Sequence, residues 1–393
     1  MSESQVYKAG SNSKADLFVS YEPDYSGFEI IIESSVKKLF GKLIKISVEE
    51  ASSFYDITAG KFVIEDDGAL DFVIRARIET VLRMAGKISK PVVSTPERAP
   101  TEKERLRRTR LYIPGSQPDL MLNAGLFGSD SIILDLEDSV FPSQKFESRI
   151  LVRHMLENAS TFFNNEELIV RINPINGPFG KDDINEIVPA LPHVLLIPKC
   201  ECSSDVTKVE QLINKIEDSS GINTEIKLMP IIETGKGVVN SAAIASASSR
   251  NVALCFGAED YTNDLGIALT REGRETYFAR QQIILAARAA GIQATDTVFS
   301  DLGDEEGLFA SALEAKSLGF VGKGIIHPRQ IEPVHRAFSP TEEELEQAKK
   351  IIVSLEEARE RGSGVASLGS KMIDAPVARR AQKIIDLANK YRI

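Results

Sequence analysis

The sequence predicts an α/β protein: a (β/α)8 TIM barrel with a C-terminal helical extension and a small N-terminal α+β domain. Three observations predict it. Eight short β-branched runs follow one another between residues 111 and 326, each separated by a segment able to hold a helix. No Gly-x-Gly-x-x-Gly turn follows the first run, which argues against a doubly wound open sheet. Residues Lys90–Pro100 carry three prolines in eleven positions and mark a linker ahead of the repeats.

In chain order, residues 1–88 read as the small domain. Phe28–Ser34 alternates and is a strand, and Phe62–Glu65 is a second. Val36–Phe40 and Ile44–Phe54 are amphipathic or mixed, and Leu70–Met84 has helical period. The linker spans 89–105. Its end and the start of the barrel carry Arg105, Arg107, Arg108 and Arg110, either a solvated face or in part contacts to a ligand phosphate. The barrel covers 106–340, with strands Leu111–Pro114, Ser131–Asp135, Leu168–Ile172, Val194–Pro198, Lys227–Ile232, Asn251–Phe256, Ile292–Val298 and Gly319–Ile326. Residues 341–393 form the extension: a long amphipathic helix at Thr341–Arg361, a glycine-rich stretch at 361–369 expected to be flexible, and a helix at Ala378–Tyr391.

Composition bounds the function. A hydrophobic share of 42% and a charged share of 26% suit a globular chain with a full core. A net charge of −10 argues against nucleic acid as the main partner. Only three cysteines occur, at positions 200, 202 and 255, with neither disulfide nor zinc spacing. Met1–Lys14 lacks an apolar signal core, and no run approaches the ~20 apolar residues of a membrane span. A cytoplasmic, reducing location is expected.

In a barrel of this kind the site forms at the C-terminal ends of the strands. Nearly every such position here is polar: Asp135, Glu137 and Asp138; Arg171 and Asn173; Lys199; Glu233; Glu259 and Asp260; Asp296; Lys323 and His327. Carboxylates without a Cys or His cluster suit a hard cation, and Mg²⁺ takes one or two carboxylates plus waters and substrate oxygens. Glu233 and Asp260, on adjacent strands, are the candidate Mg²⁺ ligands. Arg171 is the candidate clamp on a substrate carboxylate. Asp135, Glu137 and Asp138 either orient Arg171 or a metal-bound water and so face the substrate, or form a buried ion pair with Lys199 or Lys323. Gly257 and Ala258 bring backbone close to the substrate. Asp374 either caps the last helix or delivers a carboxylate over the site.

The strings Arg110-Leu-Tyr-Ile-Pro-Gly115, Ile133-Leu-Asp-Leu-Glu-Asp-Ser-Val140 with Lys145 and Arg149, Val170-Arg-Ile-Asn173, Ile197-Pro-Lys199, Ile232-Glu-Thr234, Phe256-Gly-Ala-Glu-Asp260 and Ile326-His-Pro-Arg-Gln330 resemble the citrate lyase β-subunit family. That family, within the HpcH/HpaI aldolase superfamily, includes malyl-CoA and citramalyl-CoA lyases. The resemblance covers residues 106–390 or so. It implies Mg²⁺ on Glu233 and Asp260, an oxoacid carboxylate on Arg171, and an acid/base role for Asp374, supplied to a neighbouring subunit of a homotrimer. Arg110, Lys145 and Arg149 become candidates for the phosphate of CoA or of a carrier, the alternative for Lys145 and Arg149 being solvated helix residues. The implied reaction is Mg²⁺-dependent cleavage of a citryl, citramalyl or malyl thioester to an acetyl thioester and a 2-oxoacid.

The strings Ser34-Ser-Val-Lys-Lys-Leu-Phe-Gly41 and Asp67-Gly-Ala-Leu-Asp-Phe-Val-Ile-Arg-Ala-Arg77 are similar to the citrate lyase γ-subunit, an acyl carrier protein. A gapless match puts Lys14 at the attachment position of the phosphopantetheine-type group, with Ser11 and Ser13 beside it. Ser13 is the candidate attachment site; the alternative is a module kept for structure. A citrate-lyase-type transferase subunit is an implied partner. Two other functions fit the strand-end residues: a Mg²⁺-dependent 2-oxoacid aldolase without a thioester, and a non-catalytic scaffold of a lyase complex.

Overall fold

Alternating burial builds the N-terminal sheet. The computed structural model describes residues 5–88, 95–369 and 371–391, so the linker's start at 89–94 lies outside the described residues. Four strands, β1 (Tyr7–Gly10), β2 (Leu17–Glu22), β3 (Phe28–Ser34) and β4 (Gly60–Asp66), stand in the order β1-β2-β4-β3. Leu17, Val19 and Tyr21 of β2 and Phe62 and Ile64 of β4 point to one buried face. Helices Lys37–Phe54 and Asp71–Met84 pack on the sheet. Neither β1 nor β2 was expected from sequence. One is four residues long, and in the other Phe18 on the half-exposed side masks the alternation. The two mixed segments expected after β3 form one helix that runs through Gly41, whose low propensity had divided the pattern.

Eight parallel strands follow: β5 (Thr109–Pro114), β6 (Ser131–Asp135), β7 (Glu167–Arg171), β8 (Val194–Ile197), β9 (Lys227–Ile232), β10 (Ala253–Phe256), β11 (Gln293–Thr295) and β12 (Lys323–Ile325). They pair in the order β11-β10-β9-β8-β7-β6-β5-β12. A parallel bridge between Asp296 and Lys323 joins the two ends and closes the ring. The interior is filled by Ile133, Ile169, Val194, Leu196, Met229, Ile231 and Cys255, with Tyr112 against them. The last two strands, three residues each, are shorter than their apolar runs.

Three arginines of the basic cluster, Arg105, Arg107 and Arg108, bind partners within the protein. Arg107 is fully buried at the N-terminal end of the barrel, 2.7 Å from Glu167 and 2.7 Å from Gln293. Arg108 pairs with Asp130 at 2.8 Å, and Arg105 donates to the Asn165 carbonyl. Residues at this end of a barrel serve stability.

The small domain and the barrel lie in one compact unit, Met1–Ile331. Helix Asp71–Met84 packs along helix Lys145–Glu157, and charge is buried between them. Glu79, fully buried, accepts from His154 Nε2 and the Tyr55 hydroxyl, at 2.8 and 2.7 Å, and pairs with Arg83 and Arg153. Arg83 and Arg153 also each reach Glu186 at 2.7 Å.

The second unit, Glu332–Ile393, begins earlier than the expected boundary at 341. Thr341 caps helix Glu342–Glu360 in a capping box with Glu344. The glycine-rich stretch leads into a hairpin, Ala366–Leu368 against Lys371–Ile373. Leu355, Ile373 and Ala378 form the core of this unit with helix Ala375–Tyr391. Among the described residues no helix is long and apolar enough to cross a membrane.

Candidate active site

At the C-terminal ends of the barrel strands lies a cavity of about 450 Å³, lined by residues of β5, β6, β7, β9, β10 and β12 and by the loops after them. Asp135, Asp138, Arg171, Gly257, Ala258, Glu233 and Asp260 all face it.

Arg171 ends β7 opposite Asp135, its register partner on β6. Its Nε and Nη2 donate to the two Asp135 oxygens at 2.6 and 2.7 Å. Burial would raise the Asp135 carboxyl, but the charge and hydrogen bonds of Arg171 outweigh it and hold it below the usual range. Nη1 lies 2.9 Å from Glu137 and 3.5 Å from Asp138, and the guanidinium stands 5.1 Å over the Tyr112 ring. One edge of the fork is thus fixed by Asp135, and the outer N–H groups are those that can turn to a substrate. Glu137 is buried, does not line the cavity, and braces both Arg171 and, at 2.8 Å, Lys199. Burial, reinforced by its hydrogen bond with Asp138, pushes its carboxyl up to about 7. Support of Arg171 and pairing with Lys199 therefore coexist, whereas Lys323 pairs instead with Asp296, at 2.8 Å.

Glu233, just beyond β9, is buried. Burial, with the nearby charge of Asp260, pushes its carboxyl up to about 8. Oε1 accepts the Lys199 backbone N–H at 2.6 Å. Lys199 holds φ +52°, a left-handed conformation that strains a residue with a side chain. On the other side, a Cβ at Gly257 would lie 2.6 Å from Glu233 Oε2. Glycine is required there by the close approach of the carboxylate. Asp260 sits in the first turn of helix Ala258–Leu265. The Ala258 N–H donates to Thr297 Oγ1 at 3.0 Å.

These residues fit a Mg²⁺ ion. Two carboxylates face one cavity, and one of them is crowded, buried and short of countercharge. Mg²⁺ commonly takes only one or two carboxylates and keeps water and substrate oxygens.

Other expected site residues lie elsewhere. Lys145 is buried and donates to the Leu136 and Glu137 carbonyls at 2.7 and 2.6 Å. Arg149 is buried against Asp183 and Asp182 at 3.0 and 3.1 Å. Both tie the loop after β6 and its helix into the wall, which leaves neither on the surface for a carrier phosphate. Arg110 lies inside the barrel, 1% exposed, at the cavity rather than on the surface. Ser13 is exposed in the turn between β1 and β2. Asp374 caps helix Ala375–Tyr391, accepting the Val377 N–H at 3.0 Å. Sequence reasoning missed Tyr112 and Thr297 as cavity residues. The inward parity of Arg110, Tyr112 and Pro114 on β5 was the available signal for Tyr112; Thr297 had none.

Residues 108–328 match the family model described as HpcH/HpaI aldolase/citrate lyase, and residues 4–85 match one described as malonate decarboxylase delta subunit. Citrate lyase subunit beta of Leuconostoc mesenteroides subsp. cremoris is 43% identical over 288 residues, covering 73% of this chain and 94% of that protein. The L-malyl-CoA/beta-methylmalyl-CoA lyase of Rhodobacter capsulatus is 32% identical, covering 75% and 98%. The crystal structure of the CitE protein of Mycobacterium tuberculosis with magnesium, acetoacetate and coenzyme A is similar at a TM-score of 0.61 and 28% identity, covering 73% of this chain and 100% of that one. With a family model matched over more than half of its length, the chain belongs to the HpcH/HpaI aldolase/citrate lyase family.

Proposed function

We propose that this chain is a Mg²⁺-dependent carbon–carbon lyase that cleaves a 3-hydroxy-3-carboxyacyl thioester to an acetyl thioester and a 2-oxoacid. The observation that carries it is the pair Glu233 and Asp260 facing one cavity beside Arg171. The magnesium and coenzyme A bound by the similar M. tuberculosis protein support the metal and the thioester.

Glu233 and Asp260 would hold the ion, which when bound supplies Lewis-acid chelation of the carboxylate and hydroxyl on the acid half. Lys199 N–H and Gly257 fix the Glu233 carboxylate before substrate arrives. The outer N–H groups of Arg171 orient the substrate carboxylate, while Asp135 and Glu137 hold the guanidinium in place. As the C–C bond breaks, the hydroxyl gives up its proton to solvent water at the cavity mouth and becomes the carbonyl of the oxoacid. The electron pair passes to the thioester α-carbon, which Asp374 of a neighbouring subunit protonates. This last role is supported by the resemblance of Met372-Ile-Asp374-Ala-Pro376 to the family's acid/base motif.

A homotrimer, a transferase partner and a cytoplasmic location belong to the same proposal, the last supported by three free thiols. The exposed Ser13 suits a loaded carrier and the buried Glu79 network suits a fixed structural module. Intact mass of protein from its native host separates them, added mass meaning a carrier.

The test of the activity is oxoacid release from citryl-CoA, citramalyl-CoA and malyl-CoA, with Mg²⁺ and with EDTA. Release from at least one, lost in EDTA, is expected. Inertness toward all three, with free 2-oxoacid aldol substrates cleaved instead, would overturn it.

A further inference from the structure

Arg110 lines the cavity, and the lyase chemistry proposed above gives its charge no role. It points into the barrel from β5, two positions below Tyr112, or roughly 6–7 Å deeper at the rise of an extended strand. It is 1% exposed, and among the described residues no carboxylate lies within ion-pair distance of it. Nη1 donates to Cys255 Sγ and Nη2 to the Asp296 carbonyl, each at 3.1 Å, and Nε has no partner. One acceptor is a cysteine sulfur and the other a backbone carbonyl; neither is a carboxylate. The carboxylate of Asp296 is taken by Lys323 and Arg280, and that of Asp135 by Arg171. A buried guanidinium without a carboxylate partner is a costly arrangement unless a ligand supplies one.

The chemistry of the substrate says which anion. The thioester arm continues into CoA or a protein and must leave through the cavity mouth. Only the acid half reaches inward, and its 3-carboxylate and hydroxyl belong to Arg171 and the metal. What remains to meet Arg110 is the far substituent on the carbon that becomes the ketone. We propose that Arg110 is a specificity-determining residue that pairs with a second carboxylate at this position, so that the site selects substrates yielding an oxodicarboxylate. A methyl or hydrogen there would leave the guanidinium buried and unpaired. Sites with an unmatched buried polar group reject such analogues strongly. The proposal rests on the lyase function above.

The experiment compares kcat/KM for citryl-CoA and citramalyl-CoA, which differ in this substituent, in wild type, Arg110→Met and Arg110→Lys. Replacing a lone buried charge by an apolar side chain of similar length is compatible with folding. Wild type is expected to favour citryl-CoA by at least about 100-fold. Arg110→Met should reduce that ratio to within about 10-fold, and Arg110→Lys should restore part of it. Calorimetry with oxaloacetate and pyruvate in the presence of Mg²⁺ should show the same loss of preference, without turnover. A parallel fall for both thioesters, ratio unchanged, would mean a purely structural role and overturn the inference. A wild type that prefers citramalyl-CoA would also overturn it while leaving the lyase function standing. Inertness toward every thioester would remove both.

Discussion

Glu233 shows how much of the proposed Mg²⁺ site is decided by atoms that would not be ligands. Its carboxylate is confined between the strained Lys199 amide and the bare Cα of Gly257. Gly257→Ala puts a methyl group 2.6 Å from Glu233 Oε2 and 2.8 Å from its Cβ. We expect stability to fall by about 1–3 kcal/mol and Mg²⁺ affinity by about 10–100-fold, read by denaturation and calorimetry; unchanged affinity would show that the carboxylate is not held by this contact. Protonation adds a second test. Burial and Asp260 lift the Glu233 carboxyl from its ordinary 4.5 up to about 8. Its contribution to metal-free stability is therefore full below about 4.5 and lost as the pH rises through about 8. Mg²⁺ needs the ionised form, so protons compete with it. The rise in Tm on adding Mg²⁺ should be larger at about pH 8.5 than at about pH 6.5, and Glu233→Gln should flatten the difference. An equal rise at both pH values in wild type would contradict the ligand role. The strand-end polar residues were legible in the sequence because barrel strands end where a β-branched run meets a polar one. Their partners were not. Nothing local tells that Asp296 is consumed by Lys323 and Arg280, or that Lys145 and Arg149 turn inward to carbonyls and aspartates.

Among the elements, the barrel strands were legible to within a few residues, since parallel strands buried on both faces read as continuous apolar runs. The small domain was only half legible: β3, β4 and the second helix have clear periods, whereas β1 and β2 depend on pairing for their identity. Least visible was the contact between helix Asp71–Met84 and helix Lys145–Glu157. The two carry complementary charges about 75 positions apart in sequence, and only the fold reveals that Glu79 meets Arg153 and His154. Glu79→Ala would leave Arg83 and Arg153 buried with less countercharge. A loss of about 3–5 kcal/mol is expected in chemical denaturation. A loss below about 1 kcal/mol would mean that the small domain is not clamped by this network.

For the whole molecule, the fusion of a carrier-like domain to a lyase barrel was legible from two separate sets of motifs. How tightly the two would join was not, because a proline-rich linker suggests independence. The C-terminal unit was legible as helices, but its hairpin was hidden in glycine and serine. If Asp374 serves a neighbouring subunit, mixing Asp374→Asn with Glu233→Gln chains should regain activity in hybrid oligomers, up to about a quarter of the sites in a random mixture. No recovery after confirmed mixing would confine Asp374 to its own chain or to its cap. All of this depends on one point, that Glu233 and Asp260 hold the ion that makes the chain a lyase. The direct measurement is oxoacid release from the best thioester by metal-stripped wild type, Glu233→Gln and Asp260→Asn, with and without added Mg²⁺, circular dichroism confirming the fold. Mg²⁺ should restore wild type, and both variants should stay at least about 100-fold lower. Full activity in either variant, or in wild type under EDTA, would contradict it.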